Sequence, residues 1–213
     1  MEKDTYKTLA SPSEETLYKE KNSKFFGYAF PVSTEEEVKI IIEDLRKRHN
    51  SARHWCYAFQ IGTDKIYYRA NDDGEPNNSA GMPIYGQLLS FDVTNVLVVV
   101  VRYFGGVKLG VGGLISAYKT SAQLALEASE IVERTIDVHY VLKFGYKDMN
   151  KVMRIIKEKS LDIVSQKMEM DCEIVISTRK KNAPMVAEAF ESLFGVEVSP
   201  LTSEGGTGRQ PEF

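Results

Sequence analysis

Val96-Leu97-Val98-Val99-Val100-Val101-Arg102-Tyr103-Phe104-Gly105-Gly106-Val107-Lys108-Leu109-Gly110-Val111-Gly112-Gly113 is the stretch on which the reading of this chain turns. Its first six residues are apolar throughout and mostly β-branched, the pattern of a strand buried on both faces. The glycine-rich half of the stretch cannot be strand. Five of the fifteen glycines stand between Gly105 and Gly113, a density no packed element carries, because each glycine costs about 1 kcal/mol relative to alanine. From about Leu114 to Ala128 the pattern is that of a helix. Strand, glycine loop and helix N-terminus in this order bring backbone N–H groups to one place, which suits an anion. Arg102 and Lys108 add positive charge, and between Glu75 and Glu127 the only acid is Asp92, against Arg102, Lys108 and Lys119. The loop departs from both nucleotide signatures: Lys108 precedes Gly110 instead of following a glycine at the helix start, and Ile115 stands where GxGxxG needs glycine. A phosphate site fits this spacing and a Walker-type NTPase does not. The other reading is a tight β–α turn whose glycines allow close helix packing.

Working outward toward the N-terminus, Thr16 to Phe30 reads as two strands around the turn Lys21-Asn22-Ser23-Lys24. Thr34 and Glu37 form a capping box, and Val38, Ile41, Ile42 and Leu45 succeed them at helical spacing. Trp55 to Ile61 and Lys65 to Arg69 read as strands joined around Gly62, and a short helix comes next, from about Met82 to Leu89. Charge balance and pattern change near residue 135. Beyond it come a strand (His139 to Tyr146), a helix with Met149, Val152, Met153 and Ile156 on one face, two strands (Leu161 to Met168 and Cys172 to Ser177), a helix capped by Asn182 with Met185, Ala189 and Phe190 inward and ended by Gly195, and a last strand from Val196 to Val198. That order is β-α-β-β-α-β, the ferredoxin-like pattern. The expectation is an α+β protein of two domains, 1–135 and 136–202, with a flexible tail over 203–213.

Hydrophobic residues at 43% and charged residues at 27% exclude global disorder. A net charge of −3 excludes histone-like binding through bulk positive charge. Cys56 and Cys172 are too few for a disulfide framework or a four-cysteine zinc site. The longest apolar run, Val96 to Val101, falls far short of the ~20 residues of a membrane span. Met1-Glu2-Lys3-Asp4 is too polar for a signal peptide. These features lead to the expectation of a soluble, cytoplasmic protein without membrane partners.

Three further clusters carry possible chemistry. Asp72, Asp73 and Glu75 place three carboxylates within four positions, which could hold Mg²⁺ or supply a general base, but an Asp-Gly turn before Pro76 is the preferred reading. His54 and Cys56 alternate on one strand face, as a metal or nucleophile pair or as a strand entering the core; His54 beside Arg69 would line a ligand surface. Lys147, Lys151 and Arg154 form a basic stripe opposite the apolar helix face, joined by Arg179, Lys180 and Lys181. Phosphate contact and a solvated helix face explain that stripe equally well.

His54 with Ala58, Asp72-Asp73-Gly74-Glu75-Pro76, Ala80-Gly81 with Pro83, and the run from Val100 to Leu114 together resemble the YigZ/Impact family, over nearly the whole chain. A small departure is Asn78-Ser79, where the family more often has Gly-Thr. The resemblance implies a first domain similar to the second domain of small-subunit ribosomal protein S-five. It implies a second domain similar to a ferredoxin-like domain of elongation factor G. It also implies a role in translation or its regulation, since eukaryotic relatives act as translational regulators that bind an activator of the general-control initiation-factor kinase. It implies no catalytic residue and no cofactor.

The leading expectation is therefore an RNA- or ribosome-associated protein. Arg102, Lys108 and the loop at Gly105, Gly106, Gly110, Gly112 and Gly113 would hold phosphate, and Tyr103 or Phe104 would stack a base. Two others stand beside it. One is a small-molecule phosphate binder or enzyme, echoing GHMP-type kinases at Leu109 to Gly113 but with Leu114-Ile115 where those have Ser-Ser. The other is a protein-interaction module with a translation-related partner.

Overall fold

The computed structural model describes residues 4–201; the tail expected over 203–213 lies outside them. The chain divides into two compact units, one spanning Thr5–Arg134, the other formed by the described residues from Thr135 onward together with Asp4.

In the first unit the elements run β1 (Thr5–Leu9), β2 (Thr16–Glu20), β3 (Ser23–Pro31), α1 (Glu35–Arg48), β4 (His54–Ile61), β5 (Tyr67–Asn71), α2 (Gly81–Ser90), β6 (Val96–Tyr103), α3 (Gly110–Glu127) and β7 (Ile131–Thr135). Five strands form a sheet in the order β2-β3-β6-β4-β5, and every neighbouring pair is antiparallel. Lys21 and Asn22 both take positive φ, which lets two residues close the β2–β3 hairpin. β1 and β7 pair as a separate two-stranded ribbon. α1 carries its capping box, with three glutamates in the first turn and three basic residues in the last, aligned with the helix dipole.

The central strand β6 explains the layering. Val96 to Val101 are wholly buried. Val96, Val98 and Val100 join the core beneath α2 and α3, while Leu97, Val99 and Val101 join the core beneath α1. An antiparallel sheet often leaves one face wet; here helices cover both. The same alternation continues past the valines and sends Arg102 toward α3 and Tyr103 toward α1.

α3 begins at Gly110, four residues before the expected start, so Gly110, Gly112 and Gly113 belong to its first turn. The true loop is Phe104 to Leu109. β1 and β7, five residues each, carry too little alternation to be read from sequence.

The second unit runs β8 (Asp137–Gly145), α4 (Met149–Glu158), β9 (Asp162–Lys167), β10 (Asp171–Arg179), α5 (Ala183–Glu191) and β11 (Val196–Pro200). Its antiparallel sheet has the order β11-β8-β10-β9, and α4 and α5 share one core with β8 and β10. The expected β-α-β-β-α-β order is present. Three local expectations are corrected. Asn182 makes no side-chain cap, because a turn of 3₁₀ helix over Lys180–Asn182 leads directly into α5. With that start Val186 and Phe190 face inward, and Met185 is exposed. α5 stops at Glu191, and Gly195, with φ of 86°, turns the chain into β11.

Candidate functional site

Beneath the N-terminus of α3 the first unit has a partly open cavity of about 440 Å³. His54 on β4 and Arg102 on β6 are paired in register across the sheet, so both side chains lie on the α3 side. Glu75 arrives from the loop after β5. Arg102 and Glu75 are almost completely buried, and Arg102 Nη1 donates to Glu75 Oε1 at 2.6 Å. The Tyr118 hydroxyl, on the inward face of α3, donates to the same oxygen at 2.8 Å. His54 Nε2 stands 4.0 Å from it. The Asp73 carbonyl lies 2.9 Å from His54 Nδ1 and can only accept, so Nδ1 carries the proton and Nε2 is left toward Glu75. Phe25 and Phe104 flank the Arg102 guanidinium, their ring centroids 5.5 and 5.6 Å away. Its Nε has no hydrogen-bond partner.

Arg102 is therefore not the free surface cation its position suggested. The strand places it inside, where a guanidinium persists only with a partner, and Glu75 is that partner. Behind the pair, Cys56 Sγ lies 3.3 Å from the Tyr118 hydroxyl and 3.0 Å from the Asp72 carbonyl. Burial pushes both the Cys56 thiol and the Tyr118 phenol well up, which keeps each protonated and makes Cys56 a poor nucleophile.

The mouth is different. Arg53 and Lys108 line it, and neither makes an ion pair among the described residues. Phe104 and Val111 are exposed there. α3 has Leu109 at its cap, no side-chain cap bond and no acid in its first turn, so its first amides remain open to an external acceptor. The two readings of the glycine run divide by position. A Cβ on Gly105 would lie 2.0 Å from the Asn22 carbonyl carbon, and on Gly113 3.1 Å from Leu109 Cβ, so packing accounts for these two. Gly106 and Gly110 have positive φ. At Gly112 the φ is ordinary and a Cβ would meet nothing within 4 Å; nothing in the fold requires glycine there.

Several expected site residues lie elsewhere. Tyr103 is on the opposite sheet face, its hydroxyl 2.9 Å from His49 Nδ1 and its ring against Phe26. Arg69 pairs in register with Phe59, whose ring packs in the core under α1, and its guanidinium reaches Glu35 at 3.7 Å, so it does not share a surface with His54. The acidic loop does not converge on a cation. Asp72 accepts from the amides of Asn78, Ala80 and Gly81, while Asp73 accepts from the Trp55 amide and from Arg46. Among the described residues no group of three His, Cys, Asp or Glu side chains could hold a metal ion. Tyr118 and Arg53 belong to the site and were missed. Tyr118 had a signal: a phenol on the buried stripe of Leu114, Ala117, Ser121 and Ala122 must find a hydroxyl partner.

Residues 21–126 match the Impact N-terminal domain. IMPACT family member YvyE of Bacillus subtilis (strain 168) is 33% identical over 181 residues, covering 84% of this chain and 83% of that protein. The chain belongs to the IMPACT family. An IMPACT family member of Haemophilus influenzae is 32% identical over 188 residues, covering 85% of this chain and 88% of that one. A solved structure described as a hypothetical protein superimposes with a TM-score of 0.72 at 24% identity, covering 95% of this chain and all of that one, which shows a shared fold.

The residues matching the Impact N-terminal domain include the whole cavity lining, from Arg53 to Leu114, and Tyr118 behind it. The basic residues of the second unit lie outside the match, and several are already paired. Lys151 reaches Asp148 at 2.8 Å, Arg154 reaches Glu158 at 3.6 Å, and Arg179 reaches Asp4 at 2.5 Å. Lys181 donates its backbone amide to Asp4. Lys147 lies in the 3₁₀ turn Tyr146–Asp148, and Lys180 in the 3₁₀ turn before α5. Among the described residues no helix is long and apolar enough to cross a membrane.

Proposed function

We propose that this IMPACT family protein binds RNA in the cytoplasm, in translation or its regulation, and that the mouth of the α3 cavity is its phosphate-binding element. The observation that carries this reading is the uncapped first turn of α3, opening beside two cations that make no ion pair among the described residues, with Gly112 bare toward the outside. A helix N-terminus with free amides and adjacent Lys and Arg is what a phosphate oxygen requires. Lys108 and Arg53 take the role expected of Arg102, which instead holds the floor. Phe104, exposed at the rim, is the one aromatic placed to stack a base. The family resemblance supplies the link to translation, the two named domain folds, and RNA, the ribosome or a translation-related protein as partner.

The test is fluorescence anisotropy with a labelled single-stranded RNA, titrated over a range of salt. Affinity should fall linearly with salt on logarithmic axes, and Lys108→Ala should reduce the slope by about one unit. Salt-independent binding, or an unchanged slope, overturns this reading. A second reading, a small phosphate-bearing molecule, is favoured by the buried Arg102–Glu75 floor of the cavity, and a nucleotide that raises thermal stability without any RNA binding would select it.

A further inference from the structure

We infer that the cavity seats a terminal phosphate monoester, the end of a strand or of a nucleotide, and not an internal phosphodiester. The inference rests on the phosphate reading above and narrows it. The floor is blind: Arg102 and Glu75 close it, each more than nine-tenths buried. The sides are apolar, with Phe104, Leu109 and Leu114 among the lining residues. An internal phosphodiester carries ester substituents on two sides and needs a groove open at both ends. A monoester has one substituent and three oxygens free of it, so it enters end-on.

The donors suit those three oxygens. Gly110 and Val111 of the uncapped first turn of α3 line the cavity together with Lys108 and Arg53. Arg102 Nε is a buried N–H without a partner in a side chain that lines the cavity, and an N–H so buried is normally satisfied. Glu75 is the one acid on the floor. Arg102 at 2.6 Å balances its charge, and the same oxygen already accepts from Tyr118. The floor is thus neutral overall, and attraction comes from the rim. A monoester brings a charge of about −1.5 to −2 at neutral pH, more than the single charge of a diester, so the rim cations discriminate in the same direction as the shape.

The experiment compares 3′-labelled RNA of one sequence with a 5′-monophosphate or a 5′-hydroxyl, using the full chain and fluorescence anisotropy. Adenosine monophosphate and inorganic phosphate serve as competitors. The 5′-phosphorylated RNA should bind at least about tenfold tighter, the scale of one added charge-assisted hydrogen bond. Val111→Asp should abolish the difference. Val111 lines the cavity and is exposed, and a carboxylate in the first helical turn favours the fold, so loss of binding cannot be put down to unfolding. Equal binding of the two RNAs overturns this inference and leaves the RNA reading standing. Competition by adenosine monophosphate with weak RNA binding supports the monoester seat and transfers its source to a free nucleotide, overturning the RNA reading. Absence of any preference for phosphate, in RNA or nucleotide, overturns the monoester seat.

Discussion

Replacing Glu75 by glutamine removes one charge with almost no change in volume, and the structure makes its consequence large. The Arg102 side chain is only 6% exposed and its sole ion-pair partner among the described residues is Glu75. Removing one member of a buried pair leaves the other charge unbalanced, at a cost of about 3–5 kcal/mol. The unit concerned is Thr5–Arg134. For its roughly 130 residues the unfolding entropy near 60 °C is about 0.27 kcal/mol/K, so the melting temperature should fall by about 11–18 °C. The chain has one tryptophan, Trp55, and it is buried in this unit, so its fluorescence tracks this unit separately from the other. The double variant Glu75→Gln, Arg102→Met removes the stranded cation while keeping an acceptor for Tyr118, and should recover most of the loss. A single variant melting within about 2 °C of wild type would refute the claim that Glu75 neutralises Arg102 in the folded state.

Two further outcomes are expected in the same unit. Gly105→Ala should destabilise by about 1–3 kcal/mol, because its methyl meets the backbone of the β2–β3 turn; Gly112→Ala should be neutral or stabilise by up to about 1 kcal/mol, and equal effects in urea titrations would contradict the assignment of packing to one and not the other. His49 is buried with Tyr28 and Tyr103 hydroxyls on its two ring nitrogens, and burial foremost, with Arg48 adding and Glu15 opposing, lowers its pKa below 6.5. The unfolded chain therefore takes up the proton first, and stability is lost as pH falls below about 6.5 toward the folded value; His49→Gln should flatten that part of the Trp55-monitored profile, and an identical slope in both proteins would count against it.

Much of the fold was legible because single-strand and single-helix patterns are local. The valines of β6 announced a strand buried on both faces, and Thr34 with Glu37 announced the start of α1. The residues around the α3 cavity were legible one by one but not in their arrangement. Arg102 and Tyr103 looked like neighbours in one loop, yet they end a strand, and its period of two sends them to opposite sides of the sheet. Glu75 and Tyr118 stand 43 positions apart, and only the packing of α3 on the sheet brings them to Arg102. The glycine run stands out in the sequence, but its division between packing and access depends on what surrounds each Cβ, which sequence does not contain. Asp72 and Asp73 carried the composition of a metal loop, while their actual partners are backbone amides and Arg46.

The most direct test of the phosphate element is residue-resolved. Backbone amide resonances of the full chain are monitored while a short 5′-phosphorylated RNA is added. Shifts concentrated at Lys108 and Gly110 to Gly113 are the predicted result, since those amides would gain an acceptor. Shifts confined to the Lys147–Arg154 stripe, or none at all at saturating RNA, would contradict it.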